Sequence, residues 1–301
     1  MTASANIARL LRELGRRACE GLQVEQLPLW AADRVEPISL GAGLVRVGTC
    51  GYSYRDWVGR FYPRQLRADA MLEYYARHFS TVEIDASYYR VPSEATIASL
   101  HRRTPPEFRF TAKLPGSLTH VPSEVLRPSL DDAEAFRTNF APLVDSKKLG
   151  AVLMQFPNSF RPSARAEEHL GRLREALPDL QLVAEFRHRE WQTAATFSLL
   201  ARLGIAWCNV DEPHFQTLLH ASNDVVGDLG YVRLHGRNAK MWWKGDSAER
   251  YEYDYTPEEL SPWIARVSEM ADAARETYVM FNNHRFGHSA ANAQTFAEML
   301  R

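Results

Sequence analysis

Ionisable side chains recur at the ends of short β-rich runs in this chain: Glu83 and Asp85, Lys113, Glu185 and Arg187, Arg233 and His235. Side chains alternate across a strand, so residues two apart share a face. In Phe108–Lys113 the apolar set Phe108, Phe110 and Ala112 opposes Arg109, Thr111 and Lys113. Val82 and Ile84 oppose Glu83, Asp85 and Ser87; Val232 and Leu234 oppose Tyr231, Arg233 and His235. The apolar faces should pack on helices, which turns the charged faces inward. A buried unpaired charge costs several kcal/mol, so these groups must pair or face a wet pocket. Carboxylates beside Lys, Arg and His suit proton transfer on an anionic substrate.

Glu185 is the expected acid or base, tuned by Lys113 and Arg187, with His235 shuttling a proton. Lys113, Arg187 and Arg237 would bind the anion or stabilise developing charge. Tyr52, Tyr54, Asp85, Tyr88, His120, Gln155, Asn209, Asn282 and Asn283 are the expected substrate contacts. Glu83 and Arg233 lie deeper and are expected to be structural. Trp242, Trp243 and Lys244 follow the seventh run, in loops rich in aromatic and cationic residues. Cys50 reads as a small buried hydrophobe.

These positions require a frame of eight β-rich runs: Leu44–Cys50, Thr81–Asp85, Phe108–Lys113, Ala151–Phe156, Gln181–Arg187, Ile205–Val210, Tyr231–His235 and Tyr278–Asn282. Helical periodicity marks Ala68–Phe79, Glu94–Arg103, Asp131–Val144, Ala166–Ala176, Ala194–Leu203, Glu258–Arg275 and Ala290–Leu300; the weakest segment is Phe215–His220. Strands alternating with helices predict an α/β fold, a (β/α)8 TIM barrel over residues 44–301, with an open doubly wound sheet as the alternative. Residues 1–43 are expected to form an N-terminal helical extension, a helix over Ser4–Cys19 followed by an irregular linker. In such barrels catalytic groups come from the C-terminal ends of several strands, where the charges above fall.

Composition narrows the function. The 301 residues carry 36 Lys and Arg against 37 Asp and Glu, so no overall basic excess drives nucleic-acid binding. Three scattered cysteines support neither a disulfide framework nor a paired-cysteine metal site. With no signal peptide and no long apolar run, a cytoplasmic protein away from membranes is expected. No P-loop, GxGxxG or GxSxG motif occurs. No cofactor is predicted. Glu185, Asp211, His235 and His284 have ligand chemistry for a divalent metal, but Lys113 and Arg187 would repel a cation.

The segments GTCGYSYRDWVGRFYP, TVEIDASYYRVPS, FRFTAKLPGSLTH, LGAVLMQFPNSF, LVAEFRHREW, YVRLHG and FNNHRFGHSAANA run in order from Gly48 to Ala293. Together they resemble the YecE-like family, domain of unknown function 72. The resemblance implies a TIM barrel and no established activity. The barrel shape is similar to endonuclease-IV-type and xylose-isomerase-like barrels, a fold-level analogy. Where that family often has Asn-Ser/Thr-Phe-Tyr, this chain has Asp85-Ala86-Ser87-Tyr88-Tyr89, which adds a charge. The leading expectation is an enzyme, a hydrolase, lyase or isomerase, acting on a phosphorylated or otherwise anionic small molecule or nucleotide. The rivals are a protein that binds or processes nucleic acid and a noncatalytic scaffold. The sequence gives no oligomeric state.

Overall fold

The computed structural model describes residues 35–121 and 130–301. The expected helix over Ser4–Cys19 lies outside the described residues.

The sheet runs β1 (Ile38–Leu40), β2 (Gly43–Cys50), β3 (Thr81–Ile84), β4 (Arg109–Lys113), β5 (Leu149–Gln155), β6 (Leu182–Glu185), β7 (Ile205–Asp211), β8 (Leu229–Leu234) and β9 (Glu276–Phe281). From β2 to β9 each strand lies parallel to the next, and β2 pairs with β9 from Leu44↔Glu276 to Thr49↔Phe281, so eight strands close into a barrel. This is the expected (β/α)8 architecture. The open sheet is excluded by that last pairing.

One strand was not expected. β1 lies where an irregular linker was read, antiparallel to β2, with Leu40 opposite Gly43. A three-residue edge strand is too short to show a period.

Outward faces bury the apolar residues. Trp207 of β7 meets Phe197 edge-on at 5.1 Å, and Phe186 stacks on Trp191 at 4.3 Å. The longer outer helices are α1 (Met71–Tyr75), α2 (Glu94–Arg102), α4 (Leu130–Asp145), α5 (Ala164–Ala176), α6 (Ala194–Leu203), α8 (Pro257–Ala273) and α9 (His288–Leu300); α3 (Gly116–Thr119) and α7 (Ser247–Arg250) are single turns. Their starts follow capping chemistry. Ser93, Ser163 and Thr193 each accept from a backbone N–H three residues on, and Thr256 with Glu259 forms a capping box. The segment Phe215–His220 forms no helix.

The interior is polar as well as packed. Tyr231 Oη donates to Glu83 Oε2 at 2.9 Å and accepts from the Thr111 hydroxyl at 2.9 Å. At the N-terminal end Tyr278 Oη donates to Glu276 at 2.8 Å. A Cβ on Gly150 would fall 1.9 Å from that hydroxyl, so only glycine fits there. Among the described residues no helix is long and apolar enough to cross a membrane.

Candidate functional site

Charged side chains from β3, β4, β6 and β8, with Arg187 and Glu212 just past β6 and β7, meet inside the C-terminal end of the barrel. The centre is Glu185, the last residue of β6, with a fully buried side chain. Arg233 Nη1 donates to its Oε2 at 2.6 Å, and Gln155 Nε2 to its Oε1 at 2.6 Å. Arg187 Nε lies 3.0 Å from Oε1, and His235 Nε2 3.2 Å from the same atom, outside hydrogen-bond alignment. Burial alone would raise the Glu185 pKa. The charges of Arg233 and Arg187, with His235, outweigh it and hold the group well below the usual carboxylate range.

Below this point the network is dry. Arg233 Nη2 donates to Glu83 Oε1 at 2.7 Å, and all three side chains are no more than 1% exposed. Above it the network reaches solvent. Arg187 donates through Nη1 to Glu212 Oε2 at 3.3 Å and through Nη2 to the Tyr251 hydroxyl at 3.4 Å. Its guanidinium stands 5.6 Å over the Trp242 ring, and its side chain is 12% exposed. Lys113 Nζ lies 3.5 Å from Asp85 Oδ1 and 4.2 Å over the ring of Tyr88. His120 meets the same ring at 5.1 Å.

Glu212 behaves unlike Glu185. Burial raises its pKa; Arg187 opposes the rise, Glu185 adds to it, and the Leu219 N–H opposes it, for a result of about 8. Two carboxyls therefore share one guanidinium, one held toward its ionised form and the other pushed toward its protonated form. Such separation marks acid and base assignments in many sites. His235 is neutral: burial first, then Arg187, lower it to about 3. Its Nδ1 lies 3.0 Å from Asn282 Nδ2, which can only donate, so the ring proton belongs on Nε2. Desolvation and the charges of Lys113 and Arg187 bring His120 down to about 4.

Several expected residues meet here: Lys113, Asp85, Tyr88, His120, Gln155, Glu185, Arg187, His235 and Asn282. Tyr54 joins at the rim, its ring stacked on His284 at 4.7 Å and its hydroxyl donating to the Cys50 carbonyl. Tyr52 does not join. Its ring packs by Tyr75, and its hydroxyl feels Arg103 and Glu73 on the outer side.

Five further expectations are revised. Asn209 shares its face with Trp207, and that face packs outward on α6. Its amide holds the Asp224 and Tyr231 carbonyls, and its oxygen takes Ser222 Oγ and Asp224 N. Asn283 follows inward-facing Asn282, and alternation sends it the other way, to the Tyr253 carbonyl and Asn292 Oδ1. Arg237 follows Gly236, whose φ of +89° turns the chain; a Cβ there would lie 2.6 Å from Tyr253 Cβ. Arg237 then grips Asp211 through two bonds of 2.8 and 2.7 Å. Asp211 also takes the Trp263 indole N–H, so the metal set Glu185, Asp211, His235 and His284 does not assemble. Among the described residues no group of three His, Cys, Asp or Glu is placed to hold a metal. Finally, Glu185 is held ionised by two arginines, which suits an anchor better than a proton donor.

Sequence reasoning missed Glu212 and Tyr251. The signal for Glu212 was present: Trp207, Asn209 and Asp211 share one face, so Glu212 must point to the other. For Tyr251 none existed, because a long loop brings it over His235, ring to ring at 5.6 Å.

Fold and mouth together define a (β/α)8 barrel whose polar side chains gather at the C-terminal ends of its strands. The chain belongs to the family described as "Protein of unknown function DUF72", which matches residues 46–301. It is 29% identical to the UPF0759 protein YunF of Bacillus subtilis over 273 residues, covering 85% of this chain and 95% of that one. It is 31% identical to the UPF0759 protein YecE of Escherichia coli K12 over 119 residues, 40% of each. A crystal structure of a DUF72 family protein from Thermotoga maritima superposes with a TM-score of 0.80 at 40% identity, covering 85% of this chain and 98% of that one.

Proposed function

We propose that this chain is an enzyme acting on an anionic small molecule at the C-terminal mouth of the barrel. The observation that carries the proposal is Arg187, partly exposed and shared between Glu185 and Glu212. Arg187 and Lys113 would take the anionic group, a phosphate or carboxylate, for which their charge and geometry are suited. Tyr88, Tyr251 and His120 would orient the rest. Glu185 keeps Arg187 aimed. Burial favours the protonated form of Glu212, which could give its proton to a leaving group or a developing negative charge. That chemistry serves a hydrolase, a lyase or an isomerase, and it calls on no cofactor. A cytoplasmic location belongs to this proposal, and the free, buried Cys50 and Cys208 are compatible with it.

Calorimetric titration with phosphate and sugar phosphates tests this. Binding should weaken by on the order of 100-fold in Arg187→Met, the loss expected when one charged hydrogen-bond donor is removed. Folded wild-type protein that binds none of them at low salt would end the proposal.

A further inference from the structure

Beside the mouth lies a cavity of about 750 Å³, between the loops after β3 and β4 and helix α4. Its walls include Tyr88, Tyr89, Arg90, Ser117, His120 and Asn139. The volume is in the range of small-molecule sites. Tyr88 and His120 are also rim residues of the mouth: Lys113 sits over the Tyr88 ring, and His120 lies within the electrostatic reach of Lys113 and Arg187. Tyr88 therefore forms a wall between this cavity and the charged groups of the mouth. Beyond it stands Tyr89, 78% exposed, its ring edge-on to Tyr88 at 5.1 Å. A tyrosine this exposed gains nothing from the core and offers an aromatic face to solvent. Polar groups flank it: Arg90 is exposed, and Ser117 Oγ donates to Asp132 at 2.5 Å.

We propose that this cavity is a base-stacking subsite, and that the anionic ligand of the mouth is a nucleotide. Its heteroaromatic ring lies against Tyr89, and its phosphate reaches past Tyr88 and His120 to Lys113 and Arg187. This inference rests on the reading of the mouth as an anion site. A sugar-sized spacer joins the ring and phosphate in such a ligand, as the wall at Tyr88 requires. A free nucleotide is favoured over a nucleic acid strand because the net charge of −1 supplies no basic track for a polyphosphate backbone.

The test is titration of the full-length chain with the four ribonucleoside 5′-monophosphates and ribose 5-phosphate. At least one nucleotide should bind about tenfold or more tighter than ribose 5-phosphate, the gain expected for one base on an aromatic side chain. Tyr89→Ala should erase that gain and leave ribose 5-phosphate within about twofold, whereas Tyr89→Phe should keep it. Arg187→Met should weaken nucleotide and sugar phosphate alike. Tyr89 is exposed, so its variants should fold, and circular dichroism checks that they do. Equal binding of every nucleotide and ribose 5-phosphate to wild type overturns the subsite and leaves the anion mouth standing. Binding of neither overturns both. A short single-stranded oligonucleotide that binds more than about a hundredfold tighter than any mononucleotide, with a steep salt slope, reassigns the surface to nucleic acid and also overturns the proposal.

Discussion

Arg233 and Arg187 are both inward-facing arginines that touch Glu185, yet they live in different conditions. Arg233 is 1% exposed and is clasped by Glu185 and Glu83 at 2.6 and 2.7 Å. Arg187 is 12% exposed, and its further partners stand at 3.3 and 3.4 Å. Depth along the barrel axis makes the difference. One turn of the network lower, a charge must be fully matched, because water cannot reach it. At the rim, incomplete matching is tolerated, and an unsaturated guanidinium can accept a ligand. The same alternation that builds the frame thus builds the reactive surface, and position along the strand decides which role a residue takes.

The largest effect tests the frame. Arg233→Met leaves Glu83 without its counter-charge and Glu185 with Arg187 alone, and should cost about 3–5 kcal/mol of stability, the range for breaking a buried pair. Adding Glu83→Gln should return part of that loss. Arg187→Met should cost clearly less, because Glu185 keeps Arg233 and Gln155. Urea denaturation of the three variants measures all of this. Equal losses for Arg233→Met and Arg187→Met would dissolve the distinction between the two depths.

The next effect is a pH dependence at the rim. The Glu212 pKa is raised by burial to about 8. A raised carboxyl binds its proton more tightly in the folded state. Its contribution to stability is therefore complete below the ordinary carboxylate pKa and is lost as pH rises through about 8. Between these limits the group adds a downward slope of up to about 1.4 kcal/mol per pH unit, one proton's worth. Glu185, whose pKa is depressed, works in the opposite direction and in another window: its contribution is lost only as pH falls below the ordinary carboxylate value. Glu212→Gln should flatten the slope between pH 5 and 8 and leave the acid limb unchanged. An unchanged slope in that variant would show that the proton sits elsewhere.

Much of the frame was legible in sequence. All eight barrel strands stand within a few residues of the β-rich runs, because their outward faces are apolar and helices of regular period separate them. The inner assignments of Glu83, Lys113, Glu185, Arg233 and His235 followed from alternation alone. The errors at Asn209, Asn283 and Glu212 share one cause: alternation was not carried through along the strand. Asn209 and Asn283 each sit one residue from an inward position, and Glu212 was overlooked because Asp211 beside it drew the attention. Arg237 lies past the strand, where the left-handed turn at Gly236 sets direction and the pleat no longer does. Tyr251 depends on a loop path that no local pattern encodes. Protonation states were out of reach as well, since the contrast between Glu185 and Glu212 comes from which arginines each one meets.

The smallest effect sharpens the comparison most. Lys113 carries a full charge at the rim, but its carboxylate partner Asp85 stands at 3.5 Å and is 31% exposed. Pairs of this kind contribute about 0–1 kcal/mol, and the ammonium over the Tyr88 ring adds a similar amount. Lys113→Met keeps the aliphatic stem packed and removes only the charge. It should therefore change stability by about 2 kcal/mol or less, in contrast to Arg233→Met on the same inner surface. Phosphate affinity should fall by on the order of tenfold in the same protein, since a phosphate loses one of its two cations. A large stability loss with unchanged anion binding would instead put Lys113 in the frame, and would move the boundary between the two depths outward to the edge of the barrel.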